Sequence, residues 1–191
     1  MGQFDPNAYG PVFAALLAMD RRRPPGAGSP DAGARSALDG LSVEAAFAHA
    51  RIVDGDMAAC CVSGVWLLHD YLDESHAISQ GIETPSGSFW HAIMHRREGD
   101  FSNSKYWLRR VGRHPVFDAI GQRAAELAAV RGAERAAKKL LTSGTWEPSA
   151  FVDLCEATVR DQNDAGELSL DIQQAEWELL FDFCYGAATG N

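Results

Sequence analysis

Histidines are concentrated in the middle of this 191-residue chain, where five of the six fall within 46 residues. In the segment HDYLDESH, His69, Asp73 and His76 are spaced at i, i+4 and i+7, which places them on one face if a single helix spans them. In the segment WHAIMHRRE, His91 and His95 are spaced at i and i+4. Two imidazoles at this spacing on one helix can reach the same ion.

These side chains together predict a metal site. Neutral imidazole nitrogen combined with carboxylate oxygen suits Zn, Fe, Mn or Ni better than Ca or Mg. Glu74 or Glu98 is the candidate catalytic base or additional ligand, and Asp70 is the candidate partner that orients an imidazole. Ala92 stands where an H-E-x-x-H motif has its glutamate base. The expected ligands are His69, Asp73, His76, His91 and His95.

Two alternatives to a metal site remain open at this point. The same histidines can form a metal-free polar pocket, or they can be hydrogen-bonded structural residues beside Trp66, Trp90 and Trp107. The run Asp73-Glu74-Ser75 can also end the helix early and cap the next segment, which would move His76 out of register.

A basic segment overlaps the histidines and carries a net charge of about +4 in a protein whose formal net charge is −9. Lys105, Arg109 and Arg113 follow one another at i, i+4 steps, where like charges repel. A bound phosphate or carboxylate would offset this repulsion, since arginine grips such groups bidentately. Internal pairing with acidic residues near the C-terminus would offset it equally well: Asp171, Glu176, Glu178 and Asp182. The candidate substrate-binding residues are Arg96, Arg97, Lys105, Arg109 and Arg110.

Three functions are consistent with these patterns. The first is a metal-dependent hydrolase of a small phosphorylated or carboxylated molecule, in which the metal activates water and arginines hold the anion. The second is a non-enzymatic domain that binds a small anion or a protein through a metal-free pocket. The third is a homodimer formed through the aromatic-rich stretch. The sequence does not choose between a catalytic and a non-catalytic role.

Apolar residues at helical spacing predict an all-α fold, a bundle of about seven to eight helices in a single domain over 1–191. Residues 21–41 contain successive prolines and glycines and predict an irregular connector. An apolar central helix is expected over 57–73, with His69 and Asp73 near its end. A second helix is expected over 89–97, capped by Ser88 and closed by Gly99. A loop of about fifteen residues would join these two helices.

Composition narrows the cellular setting. The negative net charge argues against nucleic acid and acidic membranes as partners. No apolar run reaches the length of a membrane span, and the N-terminus does not follow the pattern of a secretory signal, so a cytoplasmic location is expected. The four cysteines show no C-x-x-C spacing and are expected to be buried free thiols.

The stretch from Trp66 to Phe117 resembles a family of uncharacterised bacterial helical proteins in three runs: HDYLDESH, WHAIMHRRE and KYWLRRVGRHPVF. This resemblance covers roughly the middle quarter of the chain and brings no activity with it. A weaker likeness is to HD-domain phosphohydrolases, which are all-helical. It rests on His69 and Asp70 in the run LLHD, and it would make His49 a first metal ligand. The short spacing from His49 to His69 departs from that family's pattern.

Overall fold

Helices account for most of the chain in the computed structural model, which describes residues 4–142, 144–161 and 165–190. The all-α prediction is confirmed, with more helices than expected. Among the described residues a 3-10 turn, Pro6–Tyr9, precedes eleven α-helices. These are α1 (Pro11–Leu17), α2 (Arg35–Asp39), α3 (Val43–Ala46), α4 (Gly55–Leu68), α5 (Leu72–Ser79), α6 (Pro85–Glu98), α7 (Phe101–Val111), α8 (Phe117–Arg131), α9 (Glu134–Lys139), α10 (Pro148–Asp161) and α11 (Ala165–Thr189).

A hairpin of two strands, each two residues long, is the only β-structure in the described part of the chain. Strand β1 (Leu141–Thr142) pairs antiparallel with β2 (Thr145–Trp146). Most of the predicted connector is irregular, but the five-residue helix α2 lies within it. Residues 1–3, which begin the N-terminal segment compared with a secretory signal, lie outside the described residues.

The expected helix over 57–73 ends five residues early, and this break determines where the histidines lie. Helix α4 stops at Leu68, His69 is its C-cap, and Asp70 has a φ of 63° in the left-handed region. The Asp70 N–H bonds to the Leu67 carbonyl, and the Tyr71 N–H bonds to the Trp66 carbonyl. This pair of bonds is a Schellman motif, in which an aspartate replaces the usual glycine. The chain therefore turns and starts α5 at Leu72.

Helix α6 begins earlier than expected. Thr84, not Ser88, is its N-cap, because the Thr84 hydroxyl accepts the Gly87 N–H at 3.0 Å and Pro85 takes the first helical position. The C-terminal prediction is confirmed, since Gly99 has a φ of 91° and closes the helix. The expected fifteen-residue loop is mostly helical, since it contains most of the unpredicted helix α5 and the first turn of α6.

One continuous hydrophobic cluster forms the core. Helix α4 is buried on nearly every side, as its all-round apolar sequence predicts, and it packs against α5, α6 and α11. Aromatic rings from α1, from α11 and from the C-cap of α3 meet edge to face, with Phe13 in contact with Phe47 and Phe181. All four cysteines are free and buried, as predicted.

In the described part of the chain, no helix has both the length and the apolar character needed to cross a bilayer.

Candidate metal centre

Three histidines from the adjacent helices α5 and α6 converge at one place. His76 lies on α5, and His91 and His95 lie one turn apart on α6. One ring nitrogen from each residue lies within 4.8 Å of the others. The Nε2 atoms of His91 and His95 are 3.0 Å apart. His91 and His95 are buried and His76 is half-buried, so the cluster lies just beneath the surface.

The outer nitrogens of the two α6 histidines are held by other side chains. The Nδ1 atom of His95 lies 3.0 Å from the Glu98 carboxylate, and Nδ1 of His91 lies 3.1 Å from the Ser79 hydroxyl. A carboxylate only accepts hydrogen bonds, so His95 carries its proton on Nδ1 and directs an Nε2 lone pair into the cluster. Such outer partners orient metal-ligating imidazoles.

Helix α7 covers the cluster from the other side. The Trp107 ring packs on His91 with centroids 4.1 Å apart, and the Asn103 amide nitrogen lies 3.0 Å from His95 Nε2. Burial, together with the neighbouring His95 and His76, lowers the pKa of His91 to about 3. His91 is therefore neutral at physiological pH, which is the protonation state that binds metals.

The structure does not place His69 or Asp73 in this group. Because α4 ends at Leu68, the expected i, i+4, i+7 face does not form. His69 Nδ1 instead lies 3.2 Å from the Asp31 carboxylate, and its Nε2 lies 2.9 Å from the Leu16 carbonyl. Asp73 is exposed in the first turn of α5.

The two arginines that follow His95 are structural. Arg96 is fully buried and forms an ion pair with Glu176 of α11. Arg97 is also buried, and it pairs with Asp70 and donates to the Gly26 carbonyl at 3.0 Å. Burial lowers the pKa of Arg97, and the nearby Asp70 carboxylate opposes that effect. Neither guanidinium is free to hold a substrate.

The rest of the basic segment divides in two. Lys105 forms an ion pair with Asp153 of α10. Arg109 and Arg110 are exposed, and each stacks on an aromatic ring of its own helix, Arg109 on Tyr106 and Arg110 on Trp107 at 5.0 Å from the centroid. Internal pairing thus accounts for part of the segment, and these two arginines remain available to a ligand.

Only one of the four acidic residues expected to neutralise the basic segment does so, namely Glu176. The other three bind partners from outside it: Asp171 pairs with Arg22 and Arg131, Glu178 with Arg21, and Asp182 accepts the Tyr9 hydroxyl.

The two candidate catalytic carboxylates are in different places. Glu74 forms an ion pair with Arg35 at 2.7 Å. Glu98 lies at the cluster, bonded to His95 Nδ1, where it orients the ring. Its side chain is about half exposed.

The residues shared with HD-domain phosphohydrolases do not come together. His49 is exposed and its Nε2 lies 2.8 Å from the Tyr185 hydroxyl. His69 is held by Asp31 and Leu16, and Asp70 is held by Arg97. The geometry gives no support to that likeness.

Sequence reasoning missed two residues of the site, Ser79 and Asn103. Ser79 stands three residues after His76, so it would have been found had α5 been recognised as a helix. Asn103 lies in the first turn of α7, where Asp100 is the N-cap and accepts the Asn103 backbone N–H. Its proximity to His95 depends on the packing of α7 against α6 and has no local signal.

Comparisons of the chain with protein-family models, curated proteins and solved structures give no match.

Proposed function

We propose that His76, His91 and His95 bind one divalent transition-metal ion and that this ion is the functional centre of the protein. The observation that carries the proposal is the approach of three ring nitrogens from two helices to within 4.8 Å of one another. Three neutral imidazoles form the ligand set of zinc sites that keep one coordination position for water or substrate. Fe, Mn and Ni accept the same donors.

The spacing of the nitrogens suits such an ion. Zinc–nitrogen bonds of about 2.0–2.1 Å at tetrahedral angles separate neighbouring nitrogens by about 3.3 Å. The two Nε2 atoms of His91 and His95, 3.0 Å apart, are already near this separation. His76 is the least buried of the three, and a side-chain rotation would bring its nitrogen closer.

The hydrogen bonds around the two buried rings also favour a cation. If the Ser79 hydroxyl donates to the His76 carbonyl, 3.4 Å away, it accepts from His91 Nδ1–H. With Glu98 accepting from His95 Nδ1–H, both Nε2 atoms then present lone pairs to each other at 3.0 Å. A cation between them turns that repulsion into attraction.

We further propose hydrolysis of a small phosphorylated or carboxylated molecule as the activity. An ion with three protein ligands binds water in its open position and lowers the pKa of that water to near 7. Metal-bound hydroxide needs no separate carboxylate base, which fits the engagement of Glu74 with Arg35 and of Glu98 with His95. The half-exposed His76 and Glu98 side chains give a small substrate access to the site.

A second candidate function follows from the opposite orientation of one hydroxyl. If Ser79 donates to His91 Nδ1, then His91 Nε2–H donates to His95 Nε2, and His95 Nδ1–H donates to Glu98. This chain satisfies each ring nitrogen of the two α6 histidines without any ion. It corresponds to a non-enzymatic polar pocket, and metal binding separates it from the first candidate.

Metal analysis of tag-free protein tests the proposal. We expect one transition-metal ion per chain after dialysis against Zn²⁺ or Co²⁺, and a loss of affinity of at least 100-fold in His76→Ala, His91→Ala or His95→Ala. Glu98→Gln should weaken metal binding about 10-fold. Losing a group that orients a metal ligand typically costs about 10- to 100-fold in affinity, and the half-exposed Glu98 side chain is expected to lie at the lower end of that range. His49→Ala, a histidine outside the cluster, is the matched control and should bind like the wild type.

The two parts of the proposal fail separately. No uptake of metal by the wild-type chain, or equal uptake by His91→Ala, would refute the metal centre and leave the hydrogen-bond chain. Stoichiometric metal without chelator-sensitive turnover of phosphate and carboxylate esters would retain the centre and remove the hydrolase activity.

A further inference from the structure

We infer that Arg110 holds an oxyanion at the far end of the ligand whose other end reaches the three-histidine cluster. This inference rests on the metal centre proposed above and adds the chemical class of the ligand. The ligand is an elongated small acid, with a carboxylate or phosphate group at one end and the metal-directed group at the other.

One face of helix α7 connects the cluster to this arginine. Asn103, Trp107 and Arg110 are spaced at i, i+4 and i+7, so they lie along the same side of the helix. Asn103 touches His95, Trp107 packs on His91, and the Arg110 guanidinium lies over the Trp107 ring. We call these three residues the α7 ridge.

The charge on the ridge is not neutralised from within the protein. Arg96, Arg97 and Lys105 of the same basic segment each have a carboxylate partner. Arg110, like Arg109 and Arg113, has no ion-pair partner among the residues that the structure describes, although the protein as a whole carries an excess of nine negative charges; Arg110 differs from the other two in lying over Trp107. An unpaired arginine beside a proposed catalytic centre points to an anionic ligand.

Stacking on Trp107 prepares the guanidinium for this role. The guanidinium carbon lies over the indole, 5.0 Å from the ring centroid, and the Arg110 N–H groups have no hydrogen-bond partner among the described residues, so they can bond bidentately to a carboxylate or phosphate. Lysine has neither the planar face nor the fork, so this position is suited to arginine.

The length of the ridge sets the length of the ligand. Asn103 and Arg110 are seven residues apart, which corresponds to about 10 Å along a helix axis. Asn103 lies level with the cluster because its amide contacts His95. A ligand that reaches both the three-histidine cluster and Arg110 therefore has several bonds between its metal-directed group and its oxyanion. A spacer of one carbon between these two groups is too short.

Binding of dicarboxylates to Co²⁺-loaded protein tests this assignment, with the cobalt absorption spectrum reporting the metal end and calorimetry reporting affinity. Adipate should bind at least 10-fold more tightly than acetate or malonate. Arg110→Gln should remove that advantage, Arg110→Lys should keep part of it, and neither should change the cobalt content or the affinity for acetate. 5-Phosphonopentanoate, which has the same four-methylene spacer as adipate, distinguishes a phosphate-type oxyanion from a carboxylate.

Arg109→Gln is the matched control, since Arg109 is also exposed but lies over Tyr106. It should bind adipate like the wild type. Equal weakening by both substitutions would show a general surface-charge effect and overturn the inference, as would full adipate affinity in Arg110→Gln with cobalt bound. Failure of the wild-type chain to take up cobalt would instead refute the metal centre, and this inference with it.

Discussion

Glu176→Gln is expected to destabilise the protein strongly, because it leaves the guanidinium of Arg96 buried without a countercharge. Both side chains of this ion pair are about 1% exposed. The other partners of Arg96 are neutral: the Gln173 side-chain oxygen at 3.3 Å and the ring of Phe151 at 4.7 Å. Removing one member of a buried pair costs about 3–5 kcal/mol, since the remaining charge keeps its full desolvation penalty. For a chain of this size that loss lowers Tm by about 10 °C.

Urea denaturation, followed by circular dichroism, measures the change in the free energy of unfolding. The double variant Arg96→Met/Glu176→Leu should recover most of the loss, because it removes both charges from the interior. Glu126→Gln is the matched control: it breaks the exposed pair with Arg123, whose side chains are about half exposed, and should cost less than about 1 kcal/mol. A loss below about 1 kcal/mol in Glu176→Gln would contradict a desolvated ion pair and show that water reaches Arg96.

Two other perturbations have definite expected outcomes. Burial lowers the pKa of His114 to about 4, below the ordinary value of about 6.5, so the unfolded chain takes up its proton first and stability falls as pH drops from about 6.5 to 4. The loss is at most about 3 kcal/mol, and His114→Asn should flatten this part of the pH–stability curve; an unchanged slope would contradict the assignment. A β-carbon at Gly87 would lie 2.4 Å from the Ile82 carbonyl oxygen, so Gly87→Ala should displace α6 and cost about 1–3 kcal/mol in thermal unfolding. A Tm equal to that of the wild type would show that the start of α6 shifts without cost. Gly55→Ala is the control, because Gly55 is exposed and has open space around its β-carbon position.

The sequence predicts helices well where their ends carry standard signals. Gly99 is the residue type that favours a left-handed C-terminal cap, and the end of α6 was found from it. Asp70 takes the same conformation at the end of α4, but aspartate does so less often than glycine, so the break was missed. Because the break was missed, most of α5 was predicted as loop, and His69 was predicted to be a metal ligand.

The sequence predicts those parts of the candidate site that depend on spacing within one helix. His91 and His95 depend only on the spacing within one helix, and both were identified. The role of Arg96 was open from sequence, because its partner Glu176 lies 80 residues further along the chain. Contacts of this kind are set by how α6 packs against α11, and no spacing rule reaches across that separation.

The short distance along the chain between the three cluster histidines has a consequence for assembly. All three fall within the helical hairpin of α5 and α6, so an ion can join them after a loop of about fifteen residues closes. Loops of this size close in well under a microsecond, whereas the Arg96–Glu176 contact requires the C-terminal helix to be in place. If the proposed metal centre forms, a metal ion present during synthesis can therefore bind the α5–α6 hairpin before the C-terminal helix is made.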